Sequence, residues 1–478
     1  MKFANKAIAA FGALAVCMIT ISSCVKVNIG DTIDNGGNNG GENGNLIEGT
    51  IDKDLSLPKG KYTLKGYVYV NNGATLTIAA GSVIVGSVTS TEKAALIVER
   101  GSKLIANGTE SEPIIFTSGQ PAGSRAVGDW GGIILLGKAP TNRPTSPAPI
   151  IEGGVNRPFG GTDPNDNSGS LRYVRIEFSG VAAEPGSEIN GLTCGGVGAG
   201  TTLENIQVSY GGDDAYEFFG GTVNAKNLIA FATYDDDYDF DFGYTGKIQF
   251  AVSLRDKPSD IDQANGIECD NDGSGTNATP YTKPVLSNLT LIGPYDPNGA
   301  SSFHGYSNRW RRATRFVLRN SVLLAHVKAG FSIESGSSAT DYINNQSEFK
   351  DNLIGVVANP YLIDSAGARA IATNTYPANP MSSTDRAAMI ADALARMTAK
   401  AATDNNTVLA NRDAAQLTDP FSLNAPNFTP KAGSPALTGA SFTGLDNFFK
   451  SDIQYRGAFG ATNWANGWAS FTPKTNVY

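Results

Sequence analysis

Histidine and paired cysteine are nearly missing from this chain. Its 478 residues include two histidines, His304 and His326, and four cysteines. Two of those cysteines, Cys17 and Cys24, stand in the leader, so only Cys194 and Cys269 remain in the body. This scarcity argues against zinc and iron centres, which need clustered imidazole or thiolate ligands. It also excludes a disulfide framework. Long apolar runs are just as scarce, and after Ala7–Thr20 no segment is apolar enough to span a bilayer. No glycine-rich phosphate loop, nucleophile elbow or catalytic-triad order is present. Helical periodicity occurs in one stretch only, Asp385–Ala401, with Ile390, Leu394 and Met397 on one face. Basic residues are in deficit, 37 against 45 acidic. Without the leader's Lys2 and Lys6 the balance is 35 against 45, and the formal net charge moves from −8 to −10. Nucleic acid and anionic lipid are therefore disfavoured partners, whereas cations and neutral or basic ligands are permitted.

What the chain does contain is a repeated phrase. It reads Asn190-Gly191-Leu192-Thr193-Cys194, then Asp214-Ala215-Tyr216-Glu217-Phe218, then Asp236-Asp237-Tyr238-Asp239-Phe240. It returns as Asn265-Gly266-Ile267-Glu268-Cys269, as His304-Gly305-Tyr306 and as Ala329-Gly330-Phe331-Ser332-Ile333. Third and fifth positions are apolar, so on a strand they point one way and the fourth points the other. A second family runs alongside, with Leu171–Ile176, Leu203–Val208 and Ile248–Val252 in equivalent places. Val68-Tyr69-Val70 likewise returns as Leu96-Ile97-Val98. Asparagines 205, 227, 288, 320 and 352 suit the left-handed corners of a coil.

Strand-sized repeats with glycine turns and little helix predict an all-β chain, a right-handed parallel β-helix. The expected organisation is a signal peptide over 1–23, a flexible Gly/Asn tether over 24–45 and the β-helix over 46–360. A helical insertion over 361–420 and an aromatic C-terminal cap over 421–478 complete it. Cys194 and Cys269 take the same inward position three strand spacings of ~4.8 Å apart, which reads as buried apolar residues rather than a disulfide.

The acidic fourth positions form a ladder on one outer face, with Asp214, Glu217, Asp236, Asp239, Asp241, Glu268 and Asp270 on it or beside it. Carboxylates ~4.8 Å apart either hold protons or share a cation. Flexible oxygen-rich clusters suit Ca²⁺, and Asp214, Asp236, Asp239, Asp241, Glu268 and Asp270 are the expected ligands. The alternative is a solvated acidic face that only keeps the solenoid soluble. Tyr210, Tyr216, Phe219, Tyr234, Tyr238 and Tyr244 flank the acids. Aromatic faces beside carboxylates suit sugar rings, which gives Tyr216, Glu217, Tyr238, Asp239, Glu268 and Arg309 as expected ligand-binding residues.

Three resemblances add to this reading. Ile21-Ser22-Ser23-Cys24 resembles a bacterial lipobox, which implies lipidation of Cys24. Gly212-Asp213-Asp214, His304-Gly305 and Arg309, Arg311 and Arg312 resemble elements of polygalacturonase-type β-helix glycosidases. That likeness implies Asp213, Asp214 and Asp236 as acid or base candidates, with His304 nearby and an arginine holding a uronate. The string Tyr210–Lys226, the run Asp235–Gly243 and the ending Tyr455–Gly460 resemble a family of envelope lipoproteins of Bacteroidota. This implies an outer-membrane anchor. Val25-Lys26-Val27-Asn28 lacks the acids that favour export to the cell surface, so the face is undetermined. The first functional reading is a lipid-anchored protein binding a glycan with Ca²⁺ on the acidic face, its partners a polysaccharide or a TonB-dependent receptor. The second is a polysaccharide hydrolase or lyase using the same carboxylates. The third is a structural accessory subunit of an outer-membrane complex.

Overall fold

The computed structural model describes residues 45–478 apart from 89–92, 185–186, 257–263, 295–303 and 379. The expected signal peptide, Cys24 and the expected tether up to residue 44 lie outside the described residues. The rest winds into a right-handed parallel β-helix whose 26 strands form one continuous sheet. A typical coil has a short strand such as Tyr216–Phe219 and a longer, bent one such as Asn224–Phe231. Both repeat families stack in the register expected of them. Leu192 lies under Tyr216, which lies under Tyr238 and then Ile267. Val68 lies under Leu96.

Alternation within each short strand builds the core. Cys194, Phe218, Phe240, Cys269, Trp310 and Ile333 form one inward column, all fully buried. The rings of Phe218 and Phe240 stack at 5.3 Å, as do those of Tyr216 and Tyr238. Both cysteines are free and buried, and burial pushes their thiols up. One expected copy of the phrase is displaced. The rung above Ile267–Cys269 is Arg309–Arg311, not His304–Tyr306, and it sets Arg309 directly on Glu268.

The bend in each long strand is a left-handed residue. Asn205, Asn227, Asn288 and Asn320 take it with φ between 54° and 60°. In the next coil the corner is Asp351 (φ 59°), and above it Asn405 (φ 58°). Asn352 instead accepts the Ser321 N–H at 2.9 Å and donates to the Leu318 carbonyl at 3.1 Å. Tyr173 (φ 50°) and Phe250 (φ 64°) occupy the same column, a conformation that costs a bulky side chain about 1–3 kcal/mol. Both rings are packed by aromatics of the C-terminal segment, Tyr173 against Trp468 and Phe250 against Tyr455.

The two expected terminal units exchange roles. Helices α1 (Gly336–Ile343), α2 (Ser365–Ile371) and α3 (Ser383–Thr403) close the C-terminal end of the solenoid. On α3 the buried face is Met389, Ala393, Met397 and Ala401, and Ile390 and Leu394 flank it. These residues join the same core as Phe349, Ile354 and Ile363 of the last coils. Thr407–Val408 still pairs with Leu353 and Ile354, so the coil extends beyond residue 360.

Residues beyond 421 do not cap that end. They run lengthwise down one flank, back toward the first coils. Asn320 exchanges hydrogen bonds with the Ser441 backbone, Gln249 with Lys450 and Gln207 with Ser470. Asn288 donates to the Tyr455 carbonyl at 2.9 Å. At the far end the Tyr478 hydroxyl donates to buried Glu177 at 2.7 Å, and Lys61 reaches the Tyr478 backbone oxygen at 3.1 Å. The aromatics expected to close the solenoid, Trp464 and Trp468, pack along its side with Ile229, Phe231 and Val252. Backbone groups of the segment are thus satisfied by Gln207, Gln249, Asn288 and Asn320, polar side chains of successive levels of the stack.

Candidate functional site

The turns that enter the short strands carry a ladder of side chains. Asn190 Oδ1 accepts the Asp214 N–H at 3.2 Å, Asp214 Oδ1 accepts the Asp236 N–H at 2.9 Å, and Asp236 Oδ1 accepts the Asn265 N–H. Asp at these positions therefore has a structural task, tying each turn to the next. The second oxygen of each carboxylate is not needed for that task.

Beside this ladder stands the outward column Thr193, Glu217, Asp239, Glu268, Arg309 and Ser332. Between the two lies a polar cavity of about 280 Å³. Nine carboxylates line it: Glu152, Glu188, Asp213, Asp214, Glu217, Asp235, Asp236, Asp239 and Glu268. Among the described residues, Arg309, Arg311 and Arg312 are its basic lining residues.

The cavity is electrostatically two-ended. At the upper end every guanidinium is committed. Arg309 forms a fork on Glu334 (2.9 Å for each bond) and reaches Glu268 at 3.1 Å. Arg311 forks on Asp270 at 3.0 and 2.6 Å and also meets Glu268, and Arg312 donates to Asp270 at 2.7 Å. Glu334 and Asp270 hold Arg309 and Arg311 above the usual guanidinium range despite burial. At the lower end Asn190 donates to Glu217 and, at 3.3 Å, to Glu152.

The lower carboxylates accordingly bind protons more tightly than usual. Burial is the largest cause for Asp214, Glu217, Asp236 and Asp239, all pushed well above the carboxylate range. Like charge adds to it: Asp213 and Asp239 act on Asp214, Glu152 and Asp214 on Glu217, and Glu268 on both Asp236 and Asp239. Asp241, beside the cavity, is pushed up to about 8 by burial.

Oxygens of Asp214, Glu217 and Asp239 lie within 4.8 Å of one another, and so do oxygens of Asp213, Asp214 and Asp235. Asp239 Oδ1 is buried with no hydrogen-bond partner among the described residues. An uncompensated buried carboxylate oxygen is costly, and a cation removes the cost. Ca²⁺ accepts six to eight oxygens in flexible geometry, so the donor set fits that ion.

Seven of the expected site residues line the cavity: Asp213, Asp214, Glu217, Asp236, Asp239, Glu268 and Arg309. Asp241 and Asp270 stand one position along and do not line it. Asp270 is occupied by Arg311 and Arg312, and Asp241 accepts its neighbour's Phe242 N–H at 2.6 Å. Tyr216 and Tyr238 are not on this face. They point into the core, where their hydroxyls donate to the carbonyls of Ile206, Ile229 and Val252, so they cannot stack on a ligand. His304 is fully buried, with Nδ1 3.4 Å from Arg255, and does not reach the cavity. Glu152 and Glu188 carry no repeat signal, because Glu152 lies in a loop between coil strands and Glu188 in a two-stranded antiparallel hairpin outside the coil sheet. Asp235 was legible only as one more acid in an acidic run.

Short parallel strands coiled around a narrow apolar core, with a polar cavity on one outer sheet, define the class of right-handed parallel β-helix proteins. Within that class the chain belongs to the pectate-lyase-like β-helix domain family, whose model matches residues 49–407. Comparison with curated proteins and with solved structures gave no match.

Proposed function

We propose that the chain is a lipid-anchored outer-membrane protein that binds a polysaccharide at the acidic cavity with the help of Ca²⁺. Asp214, Glu217 and Asp239 would hold the ion, and Asp213 and Asp235 would complete its oxygen shell. The observations that carry the reading are this convergence of carboxylate oxygens from Asp214, Glu217 and Asp239 and the buried Asp239 Oδ1 that has no hydrogen-bond partner among the described residues. When bound, Ca²⁺ would offer positions to sugar hydroxyls or carboxylates. The chain's own residues supply orientation: Asn190 fixes Glu217, and the backbone ladder fixes Asp214 and Asp236. Membership of the pectate-lyase-like family favours a polysaccharide over other ligands.

A second reading is a polysaccharide-cleaving enzyme, and one observation favours it. Arg311 and Arg312 line the same cavity as the acids, where a basic side chain could face a sugar. The pairing of both with Asp270 means that one must be released before it acts. Incubation of the mature domain with polygalacturonate and with neutral glycans separates the readings. Binding that needs Ca²⁺ and yields no new reducing ends or unsaturated sugar supports the binder. Turnover that disappears on Arg311→Gln or Arg312→Gln supports the enzyme. If neither binding nor turnover is seen with any glycan, the polysaccharide reading falls.

The anchor has its own test. Cys24→Ser should move the protein from the membrane to the soluble fraction, because acyl chains supply most of the binding energy. Retention of the variant in salt-washed membranes would sink the proposal.

A further inference from the structure

A second pocket, of about 310 Å³, lies between the coils and the C-terminal segment. It is built from the left-handed column and the segment itself: Asn227 and Phe250 from the coils, and Lys450, Tyr455, Thr462 and Trp464 from the segment. None of these residues lines the acidic cavity. All the segment residues fall after residue 407, outside the family match.

The coil side chains around this pocket are otherwise consumed by the segment. Gln207, Gln249, Asn288 and Asn320 each hydrogen-bond to its backbone. Asn227 stands in the same column as Asn288 and Asn320 but makes no side-chain hydrogen bond among the described residues, and neither does the Tyr455 hydroxyl. Trp464 is fixed edge and face: its Nε1 donates to the Ala458 carbonyl at 2.8 Å, and its ring stacks on Phe459 at 4.7 Å and on Trp468 at 6.3 Å. Phe250 sits at φ 64° where its column neighbours are mostly asparagine, and it packs against Tyr455 at 6.3 Å. The pocket thus joins preset aromatic faces to an uncommitted amide, a hydroxyl and the exposed Lys450.

We infer that this pocket is a second sugar-binding site, which seats one sugar ring against Trp464 and Tyr455 with its hydroxyls on Asn227. Aromatic faces take the apolar face of a ring, and a few placed polar groups orient it. Its volume lies at the lower end of the range for ligand sites, roughly 300–1,000 Å³, which suits a single ring. The choice of sugar rests on the polysaccharide reading above, whereas the site does not rest on the acidic cavity.

The test uses the full mature chain in EDTA, and again with Asp239→Asn, so that the acidic cavity is silent. Saturation-transfer NMR and calorimetry are run with galactose and with galacturonate. Binding of either sugar under both conditions is expected. Asn227→Gly keeps the left-handed backbone while removing the amide, and Tyr455→Phe removes the hydroxyl. Each should weaken binding by roughly tenfold, the scale of one lost hydrogen bond, with the melting temperature as a control for folding. A preference for galacturonate that Lys450→Ala abolishes would assign the ammonium to a sugar carboxylate. Loss of binding in EDTA would overturn the inference by assigning the sugar to the acidic cavity. Absence of binding in the wild type, or binding unchanged in folded Asn227→Gly and Tyr455→Phe, would overturn it by making the pocket a packing gap.

Discussion

Asp239→Asn should raise the melting temperature of the metal-free protein and remove most of its response to Ca²⁺. Burial and the charges of Glu268, Asp241 and Asp270 push the Asp239 carboxyl well above its ordinary range, so its ionised form is disfavoured in the fold. The sign follows by linkage. A carboxyl whose folded-state pKa is raised contributes stability that is full below the unfolded value, about 4. That stability is lost as pH rises through the folded value. With Asp214, Glu217, Asp236 and Asp239 all raised, and Asp241 at about 8, chelated wild type should become steadily less stable from pH 4 to 8. An asparagine cannot ionise, so the variant's profile should be flatter. Ca²⁺ binds the ionised carboxylates, so it should help wild type most at the alkaline end. A site at a hundredfold over its Kd contributes about 2.7 kcal/mol. Unfolding entropy of about 2.1 cal/mol/K per residue makes that roughly 3 °C for a chain of this length. Scanning calorimetry in EDTA and in millimolar Ca²⁺ between pH 4 and 8 reads both effects. Identical curves with and without Ca²⁺ would leave the cluster as a solvated acidic face.

The second large effect lies behind the cavity. Arg255 and Asp237 form an ion pair at 3.1 Å, and both side chains are fully buried. The Arg255 guanidinium also donates to the carbonyls of Thr233, Asp235 and Asn265, and Thr233 donates to Asp237 at 2.8 Å. Two of those carbonyls belong to the turns that bring Asp236 and its neighbours to the cavity. Arg255→Met leaves Asp237 buried without its counter-charge, a loss of about 3–5 kcal/mol. The double variant Arg255→Met/Asp237→Leu should recover much of that loss, because no charge is then stranded. It should not recover Ca²⁺ affinity, because the turns have lost their common anchor. Urea unfolding of the two single variants and the double, with calorimetric Ca²⁺ titration of each, tests this pair. A loss below 1 kcal/mol for Arg255→Met would show that the pair does not hold these turns.

The coil was legible because stacked parallel strands bring the same residue type to the same place, and apolar alternation survives in the sequence as a repeat. Half of the cavity was legible for the same reason, since Glu217, Asp239 and Glu268 are successive rungs of one column. The same alternation puts Tyr216 and Tyr238 on the inner face. Their amphipathic character suggested the outer one, but a buried tyrosine needs only a backbone carbonyl for its hydroxyl, and the neighbouring strands provide it. His304 was placed one phrase too early because Gly305-Tyr306 resembles a rung, while the true rung is marked by Trp310 filling the inner column. Glu152, Glu188 and the course of the C-terminal segment were not legible. They depend on partners far away in sequence, as with Gln207 and Ser470, which no local period encodes.

That segment also bears on how the molecule is made. A solenoid without it is a stack in which each coil meets only its neighbours, so terminal coils can peel off one at a time. The segment joins Asn320, Gln249, Gln207 and Glu177 into one long-range closure, so loosening one coil strains its hold on the others. Those contacts have very high sequence separation and can form only after the coils beneath them exist. Residues 421–478 follow the coils in chain order, so they are synthesised after the strands they cross. The coils can therefore wind in the order of synthesis, and the finished stack is laced shut from its last coils back to Lys61 by a segment made after them.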